Sequence, residues 1–387
     1  MRLKKRSSKT RSQRVSNMGS NHSEVSQKKR KNEKYIYIEA MRIAAAFAVI
    51  FNHTGGDGFL LFSKMPLGGA KFWIYLFFSV SCKFAVPLFL AISGALLLNK
   101  EDEPLKDLWL KRILRIAVIL VVYSLIYYVI DITKSGRSFE IRKFLKALYS
   151  MNVKTHLWYL YQYIAFLIVI PFLRPLVRNL DSKYFVYLLA IAVFSSGIRP
   201  SAEYLMWHGK TSINSNIRLD WILDNAVIYP CLGYFMHHRV STAWIKKQLG
   251  WVWALNIAGL ACSCYMTFFK MSTEAGTTEL QSFHKSFVVL NCVAIYLSFK
   301  LLFDRIRPGQ LGLKMIGSLG KCSLGIYLWH IMIKDLSAIS ALRESMTAAG
   351  LNQMISVWIV CLIVMAIAYL ITLIQSRIPL LKKLVGF

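Results

Sequence analysis

Apolar residues gather along this chain in ten runs, and the polar residues fall mainly between them. The runs cover approximately 35–54, 72–98, 110–131, 156–177, 184–199, 220–237, 250–269, 286–303, 313–333 and 354–376. An α-helix rises 1.5 Å per residue, so about 17 to 25 apolar residues cross a hydrocarbon core of about 30 Å. The pattern predicts an all-α, polytopic membrane protein with about ten transmembrane helices. No internal repeat, low-complexity linker or soluble module interrupts it, so the machinery is expected within the helices.

Composition agrees with that reading. The 387 residues are 56% hydrophobic and 13% aromatic, with a mean hydropathy of +0.44, outside the usual range of a soluble enzyme. Lys and Arg outnumber Asp and Glu 48 to 19, a formal charge of +29. In isolation that excess suggests nucleic acid, but its placement between apolar runs points to topology instead. With the N-terminus inside, 30 basic residues fall on the cytoplasmic side and 15 outside; Arg42, Lys83 and Lys321 lie within the membrane. Both termini are therefore expected in the cytoplasm. One loop dissents: 131–155 should be outside yet carries six basic residues, within it the amphipathic-looking FEIRKFLKALYS, which suits a membrane surface.

Residues 1–34 carry twelve Lys or Arg among Ser, Asn and Gln, without the apolar core of a signal peptide. An uncleaved, disordered cytoplasmic tail is expected there, the membrane domain over 35–377 and a short basic cytoplasmic tail over 378–387. The seven cysteines sit in apolar segments with no CxxC pair, which implies buried thiols and neither a disulfide framework nor a metal site.

The first run, YIYIEAMRIAAAFAVIFNHT, holds Glu39, Arg42 and His53 inside otherwise apolar sequence. The eleven steps from Arg42 to His53 cover roughly 16 Å of helix axis and end about 20° from where they began, so both side chains share one face. Glu39 lies three residues before Arg42, within pairing distance on a helix. Charges at that depth cost several kcal/mol and are read as functional unless a structural partner explains them. His53 fits either a general base or a polar helix end satisfied by water or a carbonyl. Arg42 fits either a donor to phosphate or an oxyanion, or a structural ion pair with Glu39.

Other runs hold further candidates. The second places Lys83 deep in the membrane, where it must snorkel, pair or line a wet cavity, and follows it with Pro87, Ser93 and Gly94, small or kinking residues suited to close helix contact. The fourth opens with His156, Trp158 and Tyr159, an interfacial aromatic belt or a stacking face for a sugar. In the ninth, Ser323, Tyr327 and His330 are spaced four and then three, one helical face for interhelical pairing or substrate contact. Asp224, Asn225 and Asn291 show no decisive pattern. Gly-rich phosphate loops, HExxH and GxSxG are absent, and the charge forms no nucleic-acid groove.

Arg42 and His53, ten residues apart, together with FAVPLFLAISGALLL (84–98), HLWYLYQYIAFLIVIPFLRPL (156–176), LGYFMHH (232–238) and GKCSLGIYLWH (320–330), resemble the membrane acyltransferase 3 family over essentially 35–377. The resemblance implies an integral-membrane O-acyltransferase, usually an acetyltransferase, of the bacterial plasma membrane. Its donor would be cytoplasmic acetyl-CoA, with no permanently bound cofactor, and its acceptor a surface polysaccharide or lipid-linked glycan. It carries His53 over as the catalytic histidine, Arg42 as the essential arginine and Glu39 as a frequent acidic companion. Ser93, Trp158, Tyr327 and His330 match recurrent positions. No SGNH-type esterase domain is expected after the tenth run, so peptidoglycan is not specifically implied. A transporter of a glycan or small solute, or a ligand-binding sensory domain, remains the alternative reading, since charged and broken helices also serve those tasks.

Overall fold

The computed structural model describes residues 35–150, 152–217, 223–274, 286–306, 308–379 and 381–385. The basic segment 1–34 and the start of the sixth run lie outside the described residues. Every regular element among those described is helical, as it must be where no water is present to satisfy backbone N–H and C=O groups.

In chain order the helices are α1 (Ile36–Asn52), α2 (Ala70–Ser81), α3 (Ala85–Leu97), α4 (Leu105–Lys134), α5 (Ile141–Ser150), α6 (Thr155–Asn179), α7 (Ser182–Trp207), α8 (Asn225–His238), α9 (Thr242–Thr273), α10 (Val288–Arg305), α11 (Gln310–Lys321), α12 (Ser323–Lys334), α13 (Ser337–Ala348) and α14 (Gln353–Arg377). Among the described residues, six segments are long and apolar enough to cross a membrane: α2 with α3, α4, α6, α7, α9 and α14. The pair α11 and α12, bent by 64°, adds a seventh if it is one span. The other apolar runs fall on α1, α8 and α10, of 17, 14 and 18 residues. These three are shorter or more polar because they are shielded by neighbouring helices. α1 is the extreme case: it packs against α3, α10, α11, α12 and α14, and Met41, Ala45 and Phe51 are fully buried. The outer helices expose large apolar side chains, Phe172 on α6 and Trp251 on α9 at 76% and 73%, as expected where lipid replaces water.

Close packing of α3 on α8 depends on two glycines. A Cβ on Gly94 would stand 2.1 Å from the carbonyl oxygen of Pro230, and one on Gly233 only 1.9 Å from that of Ala91. Backbone meets backbone at this crossing, the role that small residues play between membrane helices.

The second run, in which Pro87 suggested a kink, breaks just before that proline. α2 stops at Ser81, a short turn carries Cys82, Lys83 and Phe84, and α3 restarts with Pro87 in its first turn, where a missing N–H costs no bond. Asn291 donates to the Ser81 carbonyl (2.7 Å) and Asn52 to that of Cys82 (3.0 Å), so the break is satisfied by side-chain amides from α10 and α1.

The dissenting loop forms α5, amphipathic as read from sequence: Phe144 is buried, whereas Ile141, Leu145 and Tyr149 are exposed. Residues 382–385 form one turn whose Val385 is fully buried. All seven cysteines are unpaired thiols.

Candidate active site

α1 positions the first two groups. Arg42 donates to Glu39 Oε1 at 2.8 Å, the pair predicted from the three-residue spacing. Glu39 is held from the other side by α11, because a Cβ on Gly320 would lie 2.4 Å from Glu39 Oε2. Only a glycine at 320 lets the α11 backbone come this near.

Arg42 opens into a cavity of about 300 Å³ between α1, α3, α4, α6, α11 and α12. Five cations line it: Arg42, Lys111, Arg112, Arg115 and Lys321. No carboxylate is among the lining residues. Ser93, Tyr159, Tyr163, Ser323 and Tyr327 supply polar groups, while Phe89, Ile92, Ile116, Ile119, Leu160, Leu167 and Leu324 supply the apolar wall. The α11–α12 bend puts the first residues of α12, Ser323 and Leu324, on this wall. The first amides of a helix lack intrahelical partners and carry the positive end of its dipole. Cationic side chains beside an apolar wall suit an anion bearing an apolar arm.

One of these cations is oriented from outside the cavity. Arg112 donates to Glu103 at 2.8 Å, and the buried Arg174 donates to the same carboxylate at 3.0 Å. Burial pushes the Glu103 carboxyl up, but the Arg112 and then the Arg174 hydrogen bonds outweigh it and hold it below the usual glutamate range.

His53 lies beyond the cavity, at the far end of α1, and belongs to a cluster of three imidazoles. Its ring centroid is 5.1 Å from that of His330 and 6.2 Å from that of His156, while His156 and His330 are 5.3 Å apart. Two carbonyls fix the tautomers. His53 Nδ1 is 2.8 Å from the Val49 carbonyl oxygen and His330 Nδ1 is 2.6 Å from that of Tyr327; a carbonyl only accepts, so both Nδ1 atoms carry protons. His330 Nε2 is then an acceptor, 3.3 Å from His53 Nδ1. Among the described residues, His53 Nε2 has no hydrogen-bond partner and keeps its lone pair, while the ring as a whole is half-buried. Such an imidazole can take a proton at Nε2 and spread the resulting charge towards His330.

Tyr327 joins the two regions. It lines the cavity, donates to the His156 carbonyl, and touches the rings of both His156 and His330. Arg42, Ser93 and Tyr327 thus meet in one cavity, and His53 meets His330 one layer further on. Trp158 joins neither group, whereas Lys83 borders the second, close enough for its charge to act on His53. Lys83 sits at the α2–α3 break with Nζ 3.8 Å from the Phe59 ring centroid, and the residue after Trp158, Tyr159, is the one that faces the cavity. Asp224 caps α8 by accepting from Ala226 N, and Asn291 serves the break, so both have structural roles.

Sequence reasoning took His156 only as part of an aromatic belt or stacking face, and did not single out Lys111, Arg112 or Arg115. His156 is almost fully buried, and its Nε2 has no partner among the described residues. Among the described residues no group of three or more His, Cys, Asp or Glu is arranged to hold a metal ion, this cluster included.

The chain is an all-helical membrane protein in which a cationic cavity and a histidine cluster are separated by Tyr327. The family model described as an acyltransferase domain matches residues 35–373, and the chain belongs to that acyltransferase 3 family, as a multi-pass membrane acyltransferase. No curated protein and no solved structure gives a significant match.

Proposed function

We propose that this protein moves an acetyl group from cytoplasmic acetyl-CoA to a hydroxyl of a glycan on the outer face of a bacterial plasma membrane, with both termini inside. The single observation that carries the reading is the alignment of two unlike sites along one helix: a five-cation cavity at Arg42 and, about 16 Å further along, an imidazole with a free Nε2 at His53. The cations suit the phosphates of the donor. The volume of about 300 Å³ sits at the lower edge of small-ligand sites and suits the pantetheine arm, with the nucleotide resting on Lys111, Arg112 and Arg115 at the loop side.

His53 Nε2 takes the proton of the acceptor hydroxyl as the oxygen attacks the thioester carbonyl. The C–S bond breaks, the new C–O ester bond forms, and the thiolate of CoA leaves with the proton His53 received. His330 accepts from His53 Nδ1 and steadies the imidazolium during the transfer. Tyr327 stands between arm and histidine, so its side chain must shift for the thioester to reach His53.

The test uses purified protein in liposomes with labelled acetyl-CoA on one side and an oligosaccharide acceptor on the other. Label appearing on the sugar with wild-type protein and lost in His53→Ala supports the reading. Movement of unmodified sugar without acylation indicates a carrier, and acylation retained in His53→Ala removes the base. Mass spectrometry of surface glycans from a deletion strain identifies the acceptor and the acyl mass.

A further inference from the structure

A second cavity, of about 350 Å³, lies between α7, α8, α9 and α10, away from the site described above. Its wall is graded by depth. Ser182 and Ser241, at the starts of α7 and α9, and Arg239, at the end of α8, lie at the level of the connecting loops. Leu189 is seven residues into α7 and Val252 eleven beyond Ser241, roughly 10 and 16 Å deeper along their helices. Everything at that depth is apolar, including Val293 and Leu297 of α10. Arg239 is the only charged side chain among the lining residues.

Its neighbours leave Arg239 oriented but available. One of its NH2 groups donates to the Arg178 carbonyl at 3.0 Å, and among the described residues no carboxylate lies within ion-pair distance of its guanidinium. The adjacent carbonyls of Met236, His237 and Val240 are already taken by Lys300 at 2.8, 2.9 and 2.7 Å, so the end of α8 is closed without Arg239. Asp181, the nearest acid in sequence to Ser182, pairs with Lys183. Two of the bordering helices, α7 and α9, are among the segments long enough to cross the membrane, which puts the polar rim at the membrane surface.

We infer that this cavity is a binding site for one anionic phospholipid, its phosphate on Arg239 and one acyl chain between α7 and α10. A basic rim over an apolar shaft between membrane helices is the arrangement that recognises an acidic headgroup. A soluble anion gains nothing from the shaft, and a zwitterionic lipid brings a cationic group beside its phosphate, which the guanidinium repels. The inference does not depend on the proposed acyl transfer.

The test is native mass spectrometry of the full chain released from mixed bilayers of phosphatidylglycerol and phosphatidylcholine. One phosphatidylglycerol retained per chain is expected. Arg239→Ala should weaken retention by about tenfold or more, as loss of a charge-assisted contact predicts, Arg239→Lys should restore part of it, and Leu189→Trp should abolish it by filling the shaft. Equal retention of both lipids, or retention unaffected by Leu189→Trp, overturns the assignment. Wild-type protein gives a second readout that needs no variant. Phosphatidylglycerol with a photoreactive acyl chain should cross-link to peptides containing Leu189, Val252 or Val293, and cross-links confined to other surfaces would refute the site. Displacement of the lipid by long-chain acyl-CoA would instead make the cavity a donor site.

Discussion

Nε2 of His330 lies 3.3 Å from Nδ1 of His53, within reach of the proton that the Val49 carbonyl also holds. His330 therefore stands behind the proposed base and does not compete with it for substrate. His53→Ala should lower turnover by about 10²-fold or more, the usual share of a positioned general base. His330→Ala should lower kcat by up to about 10²-fold through misplacement of the ring while leaving KM for acetyl-CoA unchanged. Steady-state kinetics on liposome-embedded protein distinguishes the two effects. A His330 variant that changes only KM would remove it from the relay.

The cations of the first cavity should behave oppositely. Arg115→Ala or Lys321→Ala is expected to raise KM for the donor by about tenfold or more, since one hydrogen bond to a charged group contributes about 1.5 to 3 kcal/mol, with a smaller effect on kcat. The donor KM of wild-type protein should rise with ionic strength, and less steeply in either variant. Titration of KM against salt checks both statements.

Gly94 and Gly233 hold α3 against α8 with no room for a methyl group. Gly233→Ala should destabilise the fold by about 1 to 3 kcal/mol, the range for overpacking a tight contact, and Gly94→Ala by a similar amount. Thermal melting in detergent reads the loss. Gly320→Ala has a local target instead: it drives a Cβ into Glu39 and should disturb the Glu39–Arg42 pair, which donor affinity would report.

Glu103 gives the pH dependence a definite sign. Its carboxyl is held below the ordinary value by Arg112 and Arg174, so its stabilising contribution is complete above the unfolded value of about 4.3 and disappears as pH falls through the lower folded value. Acidification should therefore loosen Arg112 and weaken donor binding before the fold is lost, and Glu103→Gln should show weakened binding already at neutral pH. Fluorescent acyl-CoA binding across an acid titration measures this.

Part of α1 was legible in the sequence, because its information is local: three residues bring Glu39 to Arg42. A kink near Pro87 and the Ser323–Tyr327 face were legible for the same reason, though the break itself falls a few residues earlier, at Cys82–Phe84. His156 was not. It sits among the Trp and Tyr of an interfacial belt, and only the packing of α6 on α12 reveals it as a partner of His330. Lys111, Arg112 and Arg115 were hidden differently, since any cytoplasmic helix end is rich in cations for topological reasons, and a ligand-facing arginine looks the same in sequence as an orienting one. Whether ten helices or fewer cross is likewise not legible from hydropathy, because a helix shielded by its neighbours, such as α8, needs neither the length nor the apolarity that lipid demands.

The two asparagines at the α2–α3 break also limit how the protein can move. An unbroken helix would occupy the Ser81 and Cys82 carbonyls with its own amides, and straightening this one would strand the side chains of Asn291 and Asn52 in a dry interior. The discontinuity is thus a fixed joint and not a hinge. Because Asn52 immediately precedes His53, the rivet that locks the joint also fixes where the imidazole stands.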